Sequence, residues 1–182
     1  PCSHYGRTPP CTDAIIRAGI RKVYIRVLDP NFLMNGKSVK ILRKAGISVE
    51  VGLLQEGLTR MNEAFNKWIS VRMPFIVAKT AQTLDGKSAT LSGESKWITS
   101  KASRDLARRM RFGFDAIAVG VNTVLKDDPV LNSIPAKRLK KIIFDSDLKT
   151  PANAKLFKGT RREDVLILTT GKASERRIKL LG

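Results

Sequence analysis

The chain is poor in cysteine, histidine, aromatic and acidic residues. Its 182 residues include two cysteines and one histidine, and aromatic residues make up 6% of the total. Two cysteines beside an apolar fraction of 42% argue against a secreted scaffold held by disulfides. No apolar run approaches the ~20 residues that cross a bilayer, and no signal-peptide core opens the sequence. The composition therefore predicts a globular protein of the reducing cytoplasm with no membrane segment.

Positive charge dominates the charged residues. Against 34 Lys and Arg stand 16 Asp and Glu, which gives a formal net charge of +18. Such a field attracts polyanions, phosphorylated metabolites and anionic membranes alike, so it indicates a class of partner and not a function. One hypothesis is a nucleic-acid-binding module with basic clusters at 108–111, 137–141 and 160–163. Against it, phosphate contacts carry no sequence choice, and no aromatic residues interleave with the basic clusters to stack on bases.

The first part of the chain alternates helix and strand patterns. Helices are predicted over 13–19, 38–45 and 56–69, and strands over 22–28 and 48–54. Ser38 is predicted to cap the second helix. This order is typical of a largely parallel sheet with helices packed outside it.

The pattern restarts near residues 70–74, where we place a domain boundary between 1–72 and 73–182. The elements predicted after it are a strand over 75–80, a turn at 84–86, a basic helix from Lys101 to about Phe112 capped by Ser100, a strand over 115–120, a loop through 127–129, strands at 142–145 and 164–169, and a basic helix over 171–182. Both parts are therefore predicted to be α/β units.

The opening string PCSHYGRTPPC, residues 1–11, holds both cysteines and the histidine. Two thiolates in a proline-rich loop that leads into a helix can bind zinc, which prefers soft sulfur and nitrogen ligands, and a helix terminus favours the thiolate form. From the spacing of the two cysteines alone, a zinc site and a pair of unrelated loop cysteines are about equally well supported. His4 can either complete a set of ligands with Cys2 and Cys11 or contact a substrate.

This string resembles the zinc loop of the deaminase domain in the bifunctional riboflavin-biosynthesis deaminase–reductases. Eight residues separate Cys2 from Cys11, as in that family, whereas generic zinc deaminases have a tight P-C-x-x-C. The resemblance implies that Cys2 and Cys11 are zinc ligands and that His4 and Arg7 face a pyrimidine substrate. A nucleic-acid-editing zinc deaminase is the alternative that the cysteine spacing disfavours.

The resemblance also implies that the chain is a piece of a longer protein, which its start at Pro1 without an initiating Met favours. In the family, the third zinc ligand and the proton-relay Glu belong to an upstream H-x-E motif, which would precede Pro1. No catalytic residue of the deamination is therefore assigned within the chain, and we expect this piece not to deaminate.

Three later blocks resemble the reductase domain of the same family. They are KTAQTLDGKSAT at 79–90, GESKWITS at 93–100 and DAIAVGVNTVLKDDPVL at 115–131. The resemblance implies an α/β chain in which the C-terminal part of a cytidine-deaminase-like domain precedes the N-terminal part of a dihydrofolate-reductase-like domain. It also implies zinc-dependent deamination of a diaminopyrimidine ribosylamino phosphate, followed by NADPH-dependent reduction of its ribose.

The same resemblance assigns site residues in the second part. Those facing the phosphorylated substrate are Lys79, Ser95, Arg111 and Leu131, and those facing NADPH are Ala81, Trp97, Thr123, Asp127 and Ser146. Each has a simpler interpretation when taken alone, such as core packing for Trp97, a solvated side chain for Lys79 and a basic helix face for Arg111.

The sequence departs from the family pattern after the Asp-Asp-Pro motif. Ile134 stands where the family usually has an Arg that contacts substrate, and Lys137 or Arg138 is the nearest replacement. The family's Gly-rich cofactor segment would follow Gly182, so we do not expect reductase turnover from this chain alone. The expected partners are the phosphorylated pyrimidine and NADPH, with no membrane; nucleic acid is disfavoured, and a homo-oligomer stays open.

Overall fold

Parallel strand pairing organises both parts of the chain. The computed structural model describes residues 1–32, 34–53 and 60–181. The chain divides into two units, Pro1–Lys79 and Thr80–Gly182. Within the described residues, no helix combines the length and apolar character needed to cross a membrane.

The first unit contains a two-stranded sheet with helix α2 packed on it. Its elements are α1 (Cys11–Arg17), β1 (Lys22–Ile25), α2 (Lys37–Lys44), β2 (Ser48–Val51) and α3 (Glu63–Val71). Strands β1 and β2 are parallel, with Lys22 opposite Ser48 and Ile25 opposite Val51. The core residues come from alternate positions of the strands and from one side of α2: Ile25, Val39, Leu42, Ile47 and Val49. Leu42 is 0% exposed, which places α2 directly over the sheet.

The second unit is built on a three-stranded sheet. Its elements are α4 (Lys101–Met110), a 3₁₀ turn (Arg111–Gly113), β3 (Ala116–Gly120), α5 (Val121–Asp127), β4 (Lys140–Phe144), two 3₁₀ turns (Lys155–Phe157 and Arg162–Asp164), β5 (Val165–Leu168) and α6 (Glu175–Leu181). The strand order is β3-β4-β5, and both pairs are parallel. All three strands therefore end at the same edge of the sheet.

One face of this sheet carries the core of the second unit. The buried cluster consists of Val124, Leu131, Ile143, Ala154 and Leu156. Beside it, the ammonium of the buried residue Lys141 donates to the carbonyls of Val130 and Leu156 and to Thr160 Oγ1, each at 2.7 Å. Burial lowers the pKa of Lys141. The three acceptors supply the contacts that a buried ammonium needs, and they tie the loop before Leu131 to the sheet.

Several predictions made from the sequence are confirmed. Both units are α/β with parallel strands, and the strands at β1, β2, β3, β4 and β5 fall within a few residues of the predicted ranges. Ser100 is the N-cap of α4, where its Oγ accepts from the backbone N–H of Ser103 at 3.2 Å. The turn at 84–86 and the final helix are also present.

Three local predictions are wrong or incomplete. Ser38 does not cap α2, because a turn at 34–36 leads straight into the helix and Gly36, in the left-handed region at φ 70°, is the N-cap. No strand forms over 75–80; residues 72–83 are neither helix nor strand, since an alternating run becomes a strand only where a partner strand pairs with it. The predicted helix over 56–69 is described only from residue 60 onward, and Leu58 lies outside the described residues.

Helix α5 was not predicted at all. Its sequence, VNTVLKD, is rich in β-branched residues, which lower helix propensity. Val124 nevertheless lies 1% exposed in the core of the second unit, so tertiary packing stabilises this helix against its local preference. This helix carries Thr123 and Asp127, two of the residues predicted to face NADPH.

Candidate functional site

The two cysteines lie together at the start of the first unit. Cys2 Sγ donates to Cys11 Sγ at 3.3 Å, and the backbone N–H of Cys11 donates to Cys2 Sγ at 3.2 Å. A further hydrogen bond from Thr12 N to the carbonyl of Cys2 closes the loop onto the first turn of α1. Both thiols are free. The proline-rich loop therefore folds back so that sulfurs separated by eight residues become neighbours.

The two thiols can bind a soft metal ion such as zinc, but only as part of a larger set of ligands. Zinc held by two thiolates places the sulfurs about 3.8 Å apart, as Zn–S bonds of about 2.3 Å at tetrahedral angles require, which is close to the observed 3.3 Å. Hydrogen bonds from the backbone and thiol of Cys2 lower the pKa of the Cys11 thiol. Within the described residues, however, no group of three or more His, Cys, Asp or Glu side chains could hold a metal. The thiols fit as two ligands of an incomplete set.

His4 and Arg7 lie on the same loop and are both exposed. His4 does not form a three-ligand group with the cysteines, so the structure does not support its use as a third ligand. Exposure on the loop that holds the thiols leaves both side chains free to meet a ligand. Their assignment to a substrate stays a prediction.

A cavity of about 270 Å³ opens beside Cys2. Its lining consists of Pro1, Cys2, Ile25, Val27, Leu28, Asp29, Pro30, Ser38, Asn62, Phe65 and Asn66. Asp29, which directly follows the strand predicted over 22–28, was not among the site residues predicted from the sequence, although it lies in this lining. Its Oδ1 accepts from the backbone N–H of Asn31 at 2.9 Å. A polar residue after the carboxyl end of a parallel strand was the signal that could have identified it, because ligands of α/β sheets bind at that edge.

The carboxyl edge of the second sheet gathers part of the predicted cofactor set. Gly120 at the end of β3 lies opposite Phe144 at the end of β4. Thr123 follows β3 in the first turn of α5, and Ser146 follows β4 by two residues. Ser146 is exposed, and its carbonyl accepts from Thr170 N at 3.2 Å, so the chain after β5 joins the same edge. The topology therefore brings Thr123 and Ser146 to one side of the sheet.

Asp127, one helical turn after Thr123, connects this edge to the loop that holds Trp97. Its Oδ1 lies 3.8 Å from the ammonium of Lys96, the residue before Trp97. Trp97 is 71% exposed, and the guanidinium of Arg104 lies over its ring at 4.0 Å from the centroid. Arg104 also donates to the carbonyl of Thr99. The interpretation of Trp97 as core packing is therefore wrong, since most of its indole is open to solvent.

Arg111, in the 3₁₀ turn after α4, contacts the loop that contains Leu131. Arg111 Nη1 donates to the carbonyl of Asn132 at 2.8 Å, and Asn132 directly follows Leu131. Leu131 is buried and has a positive φ of 57°. For a non-glycine residue this left-handed backbone is uncommon, and burial of the side chain holds it there. These two predicted substrate residues are thus brought together.

The remaining predicted residues are Ser95 and Lys79 of the substrate set and Ala81 of the cofactor set. Ser95 is half-buried and has no hydrogen bond to Arg111 or Leu131 within the described residues. Lys79 is exposed and does not lie on a strand, contrary to the prediction, because residues 72–83 pair with no strand. Ala81 is half-buried in the same segment.

Neither residue suggested as a replacement for Ile134 is available to a ligand. Lys137 Nζ donates to the carbonyls of Phe112 and Phe114, at 3.2 and 2.9 Å. Arg138 forms ion pairs with Glu163 and Asp164. Both side chains are therefore engaged in contacts within the second unit.

Comparison with known proteins decides the family. Residues 74–181 match the RibD C-terminal domain. The chain belongs to the RibD family. The riboflavin biosynthesis protein RibD of Aquifex aeolicus is 51% identical over 183 residues, which cover 99% of this chain and 51% of the relative. That of Actinobacillus pleuropneumoniae is 45% identical over 171 residues, covering 93% of this chain and 46% of the relative.

Solved RibD structures have the same fold. Acinetobacter baumannii RibD superposes with a TM-score of 0.83 at 37% identity, covering 100% of this chain and 52% of that one. A Thermotoga maritima structure titled diaminohydroxyphosphoribosylaminopyrimidine deaminase/5-amino-6-(5-phosphoribosylamino)uracil reductase gives 0.82 at 36% identity, covering 96% and 50%. The predicted family and the α/β, dihydrofolate-reductase-like fold are confirmed. The chain spans about half the length of the RibD proteins that it matches.

Proposed function

We propose that this chain is part of a bifunctional, cytoplasmic enzyme of riboflavin biosynthesis. The full enzyme would deaminate a diaminopyrimidine ribosylamino phosphate and then reduce the ribose of the product to a ribityl chain. Residues 1–72 would belong to the deaminase domain and residues 73–182 to the reductase domain. Similarity to a solved structure titled as a deaminase and reductase supports this reading, as does the RibD C-terminal match over 74–181.

The reductase part of this proposal rests on the polar residues at the carboxyl edge of the second sheet. Thr123 and Ser146 supply hydroxyl groups at that edge. Asp127, in the last turn of α5, lies 3.8 Å from the ammonium of Lys96, and the next residue, Trp97, has an exposed indole. An aromatic face with a few polar groups is suited to bind a nucleotide and fix its orientation. NADPH bound at this edge would supply the hydride.

The chain's own residues would position the phosphorylated substrate. Arg111 is half-buried and donates to the Asn132 carbonyl, so its guanidinium is fixed before a ligand arrives. A pre-oriented guanidinium suits a phosphate, which it can bind through two parallel hydrogen bonds. Leu131 would contribute backbone, because its positive φ turns the chain at this point.

For the deaminase half, Cys2 and Cys11 would hold zinc, and His4 and Arg7 would face the pyrimidine. The close sulfurs and the lowered pKa of Cys11 support this assignment. Zinc at such a site supplies an activated water at neutral pH. Since the thiols are only two ligands, we expect weak zinc binding and no release of ammonia from this chain.

The reductase assignment is tested by titrating NADPH against the purified chain and following its fluorescence. We expect saturable binding that is weakened at least about tenfold in the double variant Trp97→Ala/Asp127→Ala, because stacking and polar contacts of about 1.4 kcal/mol or more are lost. Trp68→Ala is the matched control, since Trp68 is the other tryptophan, lies in the first unit and is also half-exposed. Identical titration curves for the wild type and the double variant would remove the proposed pocket.

A further inference from the structure

The Arg108 side chain has a polar atom for which the unit provides no acceptor. Its Nε is buried and makes no hydrogen bond within the described residues. A buried N–H of a charged group without an acceptor is costly, and native structures rarely keep one without a reason. Its nearest carboxylate is Asp105, whose Oδ1 lies 3.7 Å from Arg108 Nη2. That carboxylate is also engaged by Lys101, at 2.9 Å, so it compensates Arg108 only in part.

A second guanidinium lies beside the first. Arg111 follows Arg108 by three residues, from the last turn of α4 into the 3₁₀ turn that continues it, and side chains at this spacing share one face of a helix. Burial first, and then the positive charge of Arg108, lower the pKa of Arg111. The two residues contact the same loop, Arg108 through its backbone and Arg111 through its side chain: the Arg108 carbonyl accepts from Ile134 N at 3.1 Å, and Arg111 Nη1 donates to the Asn132 carbonyl at 2.8 Å. The loop between these contacts is therefore held by both residues.

Two guanidiniums at this spacing, one with an unsatisfied buried donor, supply the positive charge and the N–H groups that a doubly charged anion requires. An anion between them would offset the two positive charges and accept the free Nε–H. The other cations near this loop cannot do so, because Lys137 and Arg138 are tied to carbonyls and carboxylates of the unit. The geometry also matches the planar, forked donors that bind phosphate through several hydrogen bonds.

We propose that Arg108 is a second phosphate-binding residue, which together with Arg111 holds the dianionic phosphate monoester of the substrate. The inference deepens the proposed function and rests on it for the identity of the substrate. The anion site itself rests on the arginine pair. The chemistry is shared by inorganic phosphate and sugar phosphates, so both are needed as probes.

The test measures binding of inorganic phosphate and of ribose 5-phosphate to the full chain by calorimetry at constant ionic strength. We expect Arg108→Gln to weaken both about 10-fold to 100-fold, the range for losing hydrogen bonds to a charged group. Arg108→Lys is expected to restore part of the loss, because it returns the charge without the fork. Tighter binding of ribose 5-phosphate than of phosphate would identify a sugar phosphate as the ligand.

Arg109→Gln is the matched control, since Arg109 is the exposed neighbour on the same helix and its loss changes the net charge equally. We expect it to change affinity by less than about twofold, as for a screened surface charge. Asp105→Asn provides a change in the opposite direction, since losing the competing carboxylate should tighten binding. The inference is overturned if the wild type binds neither probe, if Arg108→Gln binds like the wild type, or if Arg109→Gln loses as much. Failure of NADPH to bind would instead count against the proposed function.

Discussion

At the scale of single residues, the second unit uses its few acidic groups as anchors for cations. Asp164 is the clearest case: it is buried, and its carboxylate meets Arg138 Nε at 2.6 Å and Lys140 Nζ at 3.0 Å. These contacts lower the pKa of Asp164 to about 2, chiefly through the hydrogen bond from Arg138. The pair of cations joins β4 to the turn before β5.

Asp164 makes the free energy of unfolding depend on pH. Its pKa in the folded chain, about 2, lies below the ordinary value of about 3.9, so the unfolded chain takes up the proton first as pH falls. The stabilisation is complete above pH ~4 and is lost between about pH 4 and pH 2. We therefore expect Asp164→Asn to lower the Tm at pH 6 and to approach the wild type near pH 2.

Thermal unfolding followed by circular dichroism across this pH range measures the effect. Glu163→Gln is the control, because Glu163 pairs with the same Arg138 but is exposed, and its loss should change the Tm little. A Tm difference between Asp164→Asn and wild type that stays constant from pH 6 to pH 2 would contradict the account.

At the scale of elements, helix α4, which carries Arg108, depends on its cap. Ser100 Oγ accepts from Ser103 N at 3.2 Å and satisfies one of the free N–H groups at the start of α4. This cap was predictable from the sequence, since a Ser directly precedes a run of helix-forming residues. Helix α5 was not predictable from the sequence, because its β-branched residues oppose helix formation. The burial of Val124 explains why this helix forms.

Replacing Ser100 by Ala should therefore lower the free energy of unfolding by about 1 kcal/mol. Urea denaturation monitored by far-ultraviolet circular dichroism measures it. Ser103→Ala is the paired control: it loses the hydroxyl that lies 3.0 Å from Ser100 Oγ but keeps the backbone N–H that Ser100 accepts from, and should cost clearly less. Equal losses for the two variants would show that the cap is not what stabilises the start of this helix.

At the scale of the whole molecule, the sequence predicted the family and the α/β class through the order of its motifs, and the comparisons confirm both. The net charge of +18 predicted anionic partners but could not locate them. The sequence could not show which residues the fold brings together: Arg111 reaches the carbonyl of Asn132, beside Leu131, and Thr123 and Ser146 follow adjacent strands that end at one edge of the sheet. The strand predicted over 75–80 failed for the same reason, since pairing is not local information.

The competing hypothesis at this scale is a nucleic-acid-binding module, and it makes a different prediction about where anions bind. Nucleic acid held by charge alone would contact the basic clusters at 108–111, 137–141 and 160–163 and would be released steeply by salt. A nucleotide cofactor at the sheet edge would instead contact Trp97 and α5. Binding at the two places can be separated residue by residue.

The most direct test of the central claim, a nucleotide site at the carboxyl edge of the second sheet, is a titration of the ¹⁵N-labelled chain with NADPH followed by NMR. The chain has two tryptophans, one in each unit, so the two indole N–H signals provide a probe and an internal control. We expect the Trp97 indole and the amides of Val121–Asp127 to shift saturably while the Trp68 indole does not. Shifts confined to the basic clusters, with the Trp97 indole unmoved, would rule out a nucleotide site at this edge.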